Sequence, residues 1–283
     1  MNHTPPRGSD PGLSDPLLTE PRLLEDLGHR LAAAGGAAAL RHFRRAGLAA
    51  DDKNPTGAFD PVTAADRDAE AAIRAVLAAE RPDDAILGEE GETVAGTTGL
   101  TWIIDPIDGT RAFLAGLPTW GVLIALDDGA RGRLGVIDQP FTGERFLATL
   151  TEAGPSAALW HRGVRRPLTP RPCRRLDEAV LMTTAPELFD IEERARFEAV
   201  RRRCRLTRYG TDCYAYALLA LGQVDLVIEA GLHAYDIAAP AAIIRAAGGL
   251  VSDWRGGDCR WGGQVLAAGD PRIQAEALAL LGL

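Results

Sequence analysis

The chain predicts a mixed α/β protein built from two sheet-forming parts, and three observations carry that expectation. Apolar or alternating runs at 120–126, 132–137 and 145–150 are separated by Asp-Asp-Gly and Thr-Gly turns, the pattern of an antiparallel meander. Residues 151–172 then shift in composition to Pro, Arg and Gly. Beyond them strand-like and helix-like runs alternate, as in βαβ units. With 283 residues, 46% of them hydrophobic, there is enough apolar material for a large core. These signals divide the chain into a tail over 1–21, a first part over 22–153 and a second over 154–283.

The tail, rich in Pro, Ser, Asp and Gly, is expected to be disordered. Leu24, Leu27, Leu31, Leu40 and Phe43 recur among charged residues and alanines, predicting an amphipathic helix over 22–48 that Gly35-Gly36 would loosen. After a polar loop carrying Lys53, Thr63 and Asp66 read as a capping box opening a helix to Glu80, with Ala69, Ile73 and Leu77 facing inward. The short strand 85–88 stops at Glu89-Glu90, where like charges repel and either a cation or open solvent gives relief. A Gly/Thr-rich loop, 91–99, leads to the strand Trp102-Ile103-Ile104-Asp105. Pro106 has no N–H for the next ladder bond, so the chain is expected to turn there. In the second part, strands are expected at 179–183, 205–208, 224–229, 250–252 and 265–267. Helices are expected at 186–201, 211–221, 237–247 and 273–281.

Composition excludes several function classes. A net charge of -8 and a pI near 5.2 argue against nucleic acid as a partner, because phosphate backbones need a basic face. No apolar run approaches the roughly 18 residues of a membrane span, and the N-terminal segment lacks the apolar centre of a signal peptide. Cys173, Cys204, Cys213 and Cys259 lie far apart without a Cys-x-x-Cys pair, which fits a reducing cytoplasm better than a zinc or redox motif. Neither a Gly-x-Gly-x-x-Gly turn nor a Walker loop is present, and no Ser/His/Asp arrangement is visible.

The turn at Pro106 brings Asp105 and Asp108 together and leaves Gly109 and Thr110 where a helix would begin with unpaired N–H groups. Two carboxylates there can hold a divalent cation, and the N–H groups a phosphate. Asp-Pro and Asp-Gly are equally ordinary turn dipeptides, with Asp108 a helix cap. Asp66 and Asp236 each have a capping reading as well, and His233 reads as a surface histidine. Which alternative holds depends on whether distant carboxylates complete a cage.

Three pieces in order resemble the inositol monophosphatase superfamily of magnesium-dependent phosphatases. They are Glu89 in Gly-Glu-Glu, then Asp105-Pro-Ile-Asp-Gly-Thr110, then Tyr235-Asp236-Ile-Ala-Ala before an alanine-rich run to Gly248-Gly249. The segments 109–121, 135–146 and Tyr209-Gly-Thr-Asp-Cys-Tyr-Ala-Tyr216 are more similar to the histidinol-phosphate phosphatases of that fold. Tyr235 stands where many inositol phosphatases have Trp.

The resemblance implies a layered αβαβα sandwich like that of inositol monophosphatase and fructose-1,6-bisphosphatase. It also implies two or three Mg²⁺ per site, one held by Glu89, Asp105 and the Ile107 carbonyl, another by Asp105, Asp108 and Asp236. With Glu89 counted among the catalytic groups, Thr110 would orient the attacking water and Asp66 would accept its proton. Gly109 and Thr110 would hold the phosphate through their N–H groups, with Arg208 reaching it from the other side. Asp236 and Glu229 would contact the substrate, and Asp212 with Glu229 would favour a cationic leaving group such as histidinol over a neutral polyol. Asp212 also has a reading as the cap of the helix it begins.

The expected reaction is therefore hydrolysis of L-histidinol phosphate, a step of histidine biosynthesis. Inositol or sugar phosphates are the alternative substrates. A catalytically idle regulatory relative would have a damaged cage, and every expected ligand is present. A homodimer is expected from the likeness, with Phe113-Leu114-Ala115 and Leu117-Pro118 as a contributing segment.

Overall fold

The computed structural model describes residues 15–47, 49–53 and 61–282. Asp15 caps a short helix, α1 (Pro16–Thr19), by accepting the Leu17 N–H at 2.9 Å, and Leu17 is buried. Pro21 opens α2 (Pro21–Leu40). The disorder expected through residue 21 is thus replaced by helix from Pro16 onward, because Leu17 has a core to enter; residues 1–14 lie outside the described chain.

A two-stranded ribbon, β1 (Ala50–Asp52) with β2 (Pro61–Thr63), leads into α3 (Ala64–Glu80). Leu24, Leu31, Ile73 and Leu77 of the two long helices share a core with Trp102, Ile104, Val122 and Leu134 of the first sheet. Gly35 and Gly36 do not loosen α2. A Cβ at Gly35 would stand 2.8 Å from Ile73 and 3.2 Å from Val122, so the missing side chains let the helix approach both neighbours.

The first sheet contains β3 (Ala85–Gly88), β4 (Thr101–Asp108), β5 (Gly121–Asp127), β6 (Gly132–Gln139), β7 (Glu144–Thr151), β8 (Gly154–His161) and β9 (Val164–Pro167), adjacent in that order. Only β3 and β4 run parallel; a five-residue helix, α4 (Thr110–Leu114), separates β4 from β5. The meander thus continues through β8 and β9, and the division expected at residue 153 falls inside it. The hairpin between those strands turns at Arg162 (φ 51°) and Gly163 (φ 78°). Two positive φ values suit a two-residue hairpin turn, but Arg is a rare occupant of the first position and so gave no turn signal.

The second sheet has the order β11-β10-β12-β14-β13, built from β10 (Val180–Thr183), β11 (Leu206–Tyr209), β12 (Leu226–His233), β13 (Leu250–Ser252) and β14 (Gly262–Ala268). It is mixed: β10 runs parallel to β11 and β12, and β14 antiparallel to β12 and β13. The outer helices are α5 (Ile191–Arg201) and α8 (Pro271–Leu281); α6 (Tyr214–Ala220) and α7 (Ala234–Ala246) join the two sheets through one apolar core. The α5 helix starts later than expected from Pro186, because Asp190 caps it by accepting the Glu193 N–H at 2.8 Å. Five layers result, in the order α2/α3, first sheet, α6/α7, second sheet, α5/α8.

The approach of α7 to the first sheet depends on Gly135. A Cβ at this residue would lie 2.5 Å from the Ala239 carbonyl and 2.9 Å from the Ala242 Cβ. Backbone cannot step aside as a flexible side chain can, so Gly135→Ala is expected to lower stability by about 2 kcal/mol through overpacking. Urea unfolding checks this, and a midpoint equal to that of the unaltered protein would refute it.

Candidate active site

The Pro106 position shows how the site begins. The β4 strand does not end at Asp105 as expected; it runs to Asp108, with a register shift between the pairs Asp105↔Leu123 and Asp108↔Gly121. A bulge absorbs the residue that lacks an N–H and re-aims its neighbours, a frequent device beside active sites. Inside the bulge Asp105 Oδ1 accepts the Ile107 N–H at 3.0 Å. Gly109 follows at φ 82°, a left-handed conformation that starts α4 at Thr110.

Asp66 caps its helix with one oxygen and turns the other toward Thr110. Its Oδ2 accepts the Thr63 N–H at 2.8 Å and the Thr63 hydroxyl at 2.6 Å, closing the capping box of α3. Its Oδ1 faces the Thr110 hydroxyl at 3.4 Å, which also lies 3.2 Å from the Ile107 carbonyl. A hydroxyl donates one hydrogen at a time, so Thr110 stands between two acceptors. Burial lifts the Asp66 carboxyl above its usual range, against the opposing hydrogen bonds from Thr63.

Asp236 is similarly divided. The helix it was expected to cap begins earlier, at Ala234, so Asp236 lies inside the first turn and accepts the His233 N–H at 2.6 Å. One oxygen from each of Asp105, Asp108 and Asp236 lies within 4.8 Å of the other two. Residues 128 positions apart are thereby joined. Burial first, then the charges of Glu89, Asp108 and Asp236, push the Asp105 carboxyl well above its ordinary range. Asp108 is raised by burial and by Asp212 and Asp236. Asp236 is pushed up to about 6 by burial, while its bond from His233 opposes the shift.

Glu89 stands outside that three-way group but close enough for its charge to act on both Asp105 and Asp236. Lys53 lies 2.9 Å from Glu89 and 2.5 Å from Glu90. Burial disfavours the Lys53 charge, but the two carboxylates more than offset this and hold the ammonium protonated. Sequence reasoning left Lys53 without a role. A lone cation in a loop opposite an acidic pair was the available signal, but nothing periodic tied it to that pair.

On the other wall, Asp212 has φ 44° and does not cap the helix that follows: the cap position of α6 is Cys213, with no side-chain cap bond. Asp212 instead packs against Gly109, where a Cβ would stand 3.0 Å from its Cγ. Burial pushes Asp212 up to about 6, with Arg111 opposing. Glu229 sits beside a second bulge, between the pairs Glu229↔Val265 and Leu232↔Gly263. It accepts the Thr184 N–H at 2.7 Å and the Thr184 hydroxyl at 3.1 Å, and burial pushes it up to about 8 despite them.

The Cys213 N–H, also absent from the sequence expectations, donates to Asp108 Oδ2 at 2.6 Å and ties the two walls together. Arg208 lies exposed on the edge strand β11, three residues before Thr211, and no hydrogen bond among the described residues joins it to the carboxylates. Phe113 is turned inward against Phe43 and Trp120 rather than toward a partner; Leu117 is the exposed apolar side chain of that segment.

Oxygen donors buried together and held against their own repulsion fit a hard divalent cation, which would relieve that repulsion. The family whose pattern this chain matches consists of metal-dependent phosphatases, and that is the chain's class. The pattern of the inositol monophosphatase family matches residues 22–281, and the chain belongs to that family.

A chloroplastic bifunctional phosphatase of Arabidopsis thaliana is 38% identical over 266 residues, covering 90% of this chain and 74% of that one. The histidinol-phosphatase of Chlorobaculum parvum is 33% identical over 252 residues, covering 89% and 94%. The structure of an inositol monophosphatase from Zymomonas mobilis superposes with a TM-score of 0.80 at 40% identity, covering 94% of this chain and all of that one. No helix among the described residues is long and apolar enough to cross a membrane.

Proposed function

We propose that the chain is a Mg²⁺-dependent phosphomonoester hydrolase whose preferred substrate is L-histidinol phosphate. The observation that carries the substrate reading is the pair Asp212 and Glu229, two acids raised by burial on one wall of the site. A cationic leaving group would be attracted to them and would favour their ionised forms; a neutral polyol would not. The Chlorobaculum relative, named a histidinol-phosphatase, supports the same choice. The Zymomonas structure, titled an inositol monophosphatase at 40% identity, favours the second reading, an inositol or sugar phosphate.

Glu89, Asp105, Asp108, Asp236 and the Ile107 carbonyl would hold the cations. When bound, Mg²⁺ would supply charge neutralisation for the ester's oxygens and acidify the attacking water. Thr110 orients that water, and Asp66 receives its proton through the Thr110 hydroxyl, while the N–H groups of Gly109 and Thr110 hold phosphate oxygens. Arg208 is the additional phosphate contact in this reading. The setting is cytoplasmic and the assembly a homodimer.

Turnover of L-histidinol phosphate against inositol 1-phosphate, with Mg²⁺ present, tests the substrate directly. A tenfold preference for inositol phosphate would overturn the choice. Asp212→Ala is expected to raise KM for histidinol phosphate by about tenfold, the equivalent of about 1.4 kcal/mol, and to leave KM for a neutral phosphomonoester nearly unchanged. Equal effects on both would discard the charge explanation.

A further inference from the structure

Glu70 lies one turn after Asp66 on α3 and is 2% exposed. A carboxylate buried this far is strongly unfavourable unless hydrogen bonds compensate it. Three N–H groups do so here. Oε2 accepts the Glu90 N–H at 2.9 Å; Oε1 accepts the Gly91 N–H at 2.9 Å and the Arg74 Nε at 2.7 Å. Two of the three come from the loop that follows β3, the loop that delivers Glu89.

That loop is shaped around the carboxylate. A Cβ on Gly88 would stand 2.2 Å from Glu70 Oε1 and 2.7 Å from Arg74 Nη2, so any larger residue must move the loop or the Glu70 carboxylate out of its bonds. Glu89 itself donates its N–H to the Ile104 carbonyl at 3.1 Å. Its backbone is therefore pinned to β4 on one side, and the next two N–H groups are pinned to Glu70 on the other. Since α3 also presents Asp66, one rigid helix sets Asp66 directly and Glu89 through Glu70. Both are registered against Asp105 on β4 before any cation arrives.

We propose that Glu70 is a positioning residue for divalent-cation binding: it holds the 88–91 loop so that Glu89 meets the cation preorganised. This rests on the reading of Glu89 as a ligand. Residues behind the ligands commonly change metal affinity by about 10–100-fold when altered, because they fix ligand orientation. Glu70→Gln keeps the volume but sets an amide NH₂ against a loop N–H and removes the charge opposite Arg74, so the loop is released.

Mn²⁺ binding to the full chain, followed by electron paramagnetic resonance of the free ion, is the primary readout. The Mg²⁺ concentration for half-maximal activity is the second. For Glu70→Gln the apparent Mn²⁺ Kd and the half-activating Mg²⁺ concentration are both expected to rise at least tenfold, with kcat at saturating Mg²⁺ within about threefold of the unaltered enzyme. A folded Glu70→Gln protein with Mn²⁺ affinity within threefold of the parent overturns the proposal, as does a fall in kcat with unchanged half-activation.

Should Glu70→Gln fail to fold, Gly88→Ala presses a methyl group against the Glu70 carboxylate and disturbs the same contact from the loop. It is expected to weaken Mn²⁺ binding likewise, and unchanged affinity there overturns the proposal equally. If the unaltered protein bound no Mn²⁺ at all, the metal reading of Glu89 would fall first, a result separable from every outcome above.

Discussion

Replacing Asp105 with Asn is expected to reduce kcat/KM about a thousandfold or more, about 4 kcal/mol of transition-state stabilisation, while making the metal-free protein more stable. Both halves follow from the same geometry. Asp105 Oδ1 is committed to the Ile107 N–H, and an Asn oxygen can keep that bond. Asp105 also belongs to the group shared with Asp108 and Asp236, and in Asn one of its two oxygens becomes an NH₂ that cannot bind a cation. One member of a mutually repelling cluster is also neutralised, and its new donors point at the other carboxylates. The melting temperature in chelator should therefore rise as activity falls. Phosphomonoesterase kinetics with Mg²⁺ and thermal melts with EDTA check the two parts. Activity within tenfold of the parent would remove Asp105 from the reaction, and a lower melting temperature would show its role to be structural.

The second large effect concerns pH. In the metal-free protein Asp105 and Asp108 stand well above the ordinary carboxylate range and Asp236 stands at about 6. Between about pH 4, where unfolded Asp ionises, and the folded-state value, the folded chain holds more protons than the unfolded chain. Stability with the metal removed must then fall as pH rises through about 4 to 6 and beyond, by on the order of 3 kcal/mol for Asp236 alone. A cation binds the ionised carboxylates and reverses the penalty, so the stabilisation by millimolar Mg²⁺ should be small near pH 5 and several degrees larger near pH 8. Melts with and without Mg²⁺ across that range test this. A Mg²⁺ increment that stayed constant or shrank with pH would mean that these acids do not hold the ion.

Much of the frame was legible because its signals are local. Thr63 and Asp66 form the expected capping box, and the helix they open ends at Glu80 as expected. Alternation and Gly turns located β5, β6 and β7 to within a residue or two. The failures have physical causes. Pro106 ends a regular ladder but can enter a bulge, and bulges depend on the facing strand. Gly35 and Gly36 are weak helix formers in isolation, yet their absent side chains are what α3, β5 and the Asp138–Pro140 segment require. The β8–β9 hairpin was hidden by an Arg at its left-handed corner.

The sequence alone determined the family, the order of the layers implied by that likeness, and the carboxylates worth watching, since these are carried by residue identity and short spacing. Only the tertiary structure decided what each carboxylate does. Asp66 both caps and faces Thr110; Asp236 both holds the His233 N–H and joins Asp105; Asp212 leaves its own helix and packs on Gly109. A carboxylate has two oxygens, and local sequence states a use for at most one of them. The other is assigned by whichever distant element the packing of α7 and the sheets brings within a few ångströms.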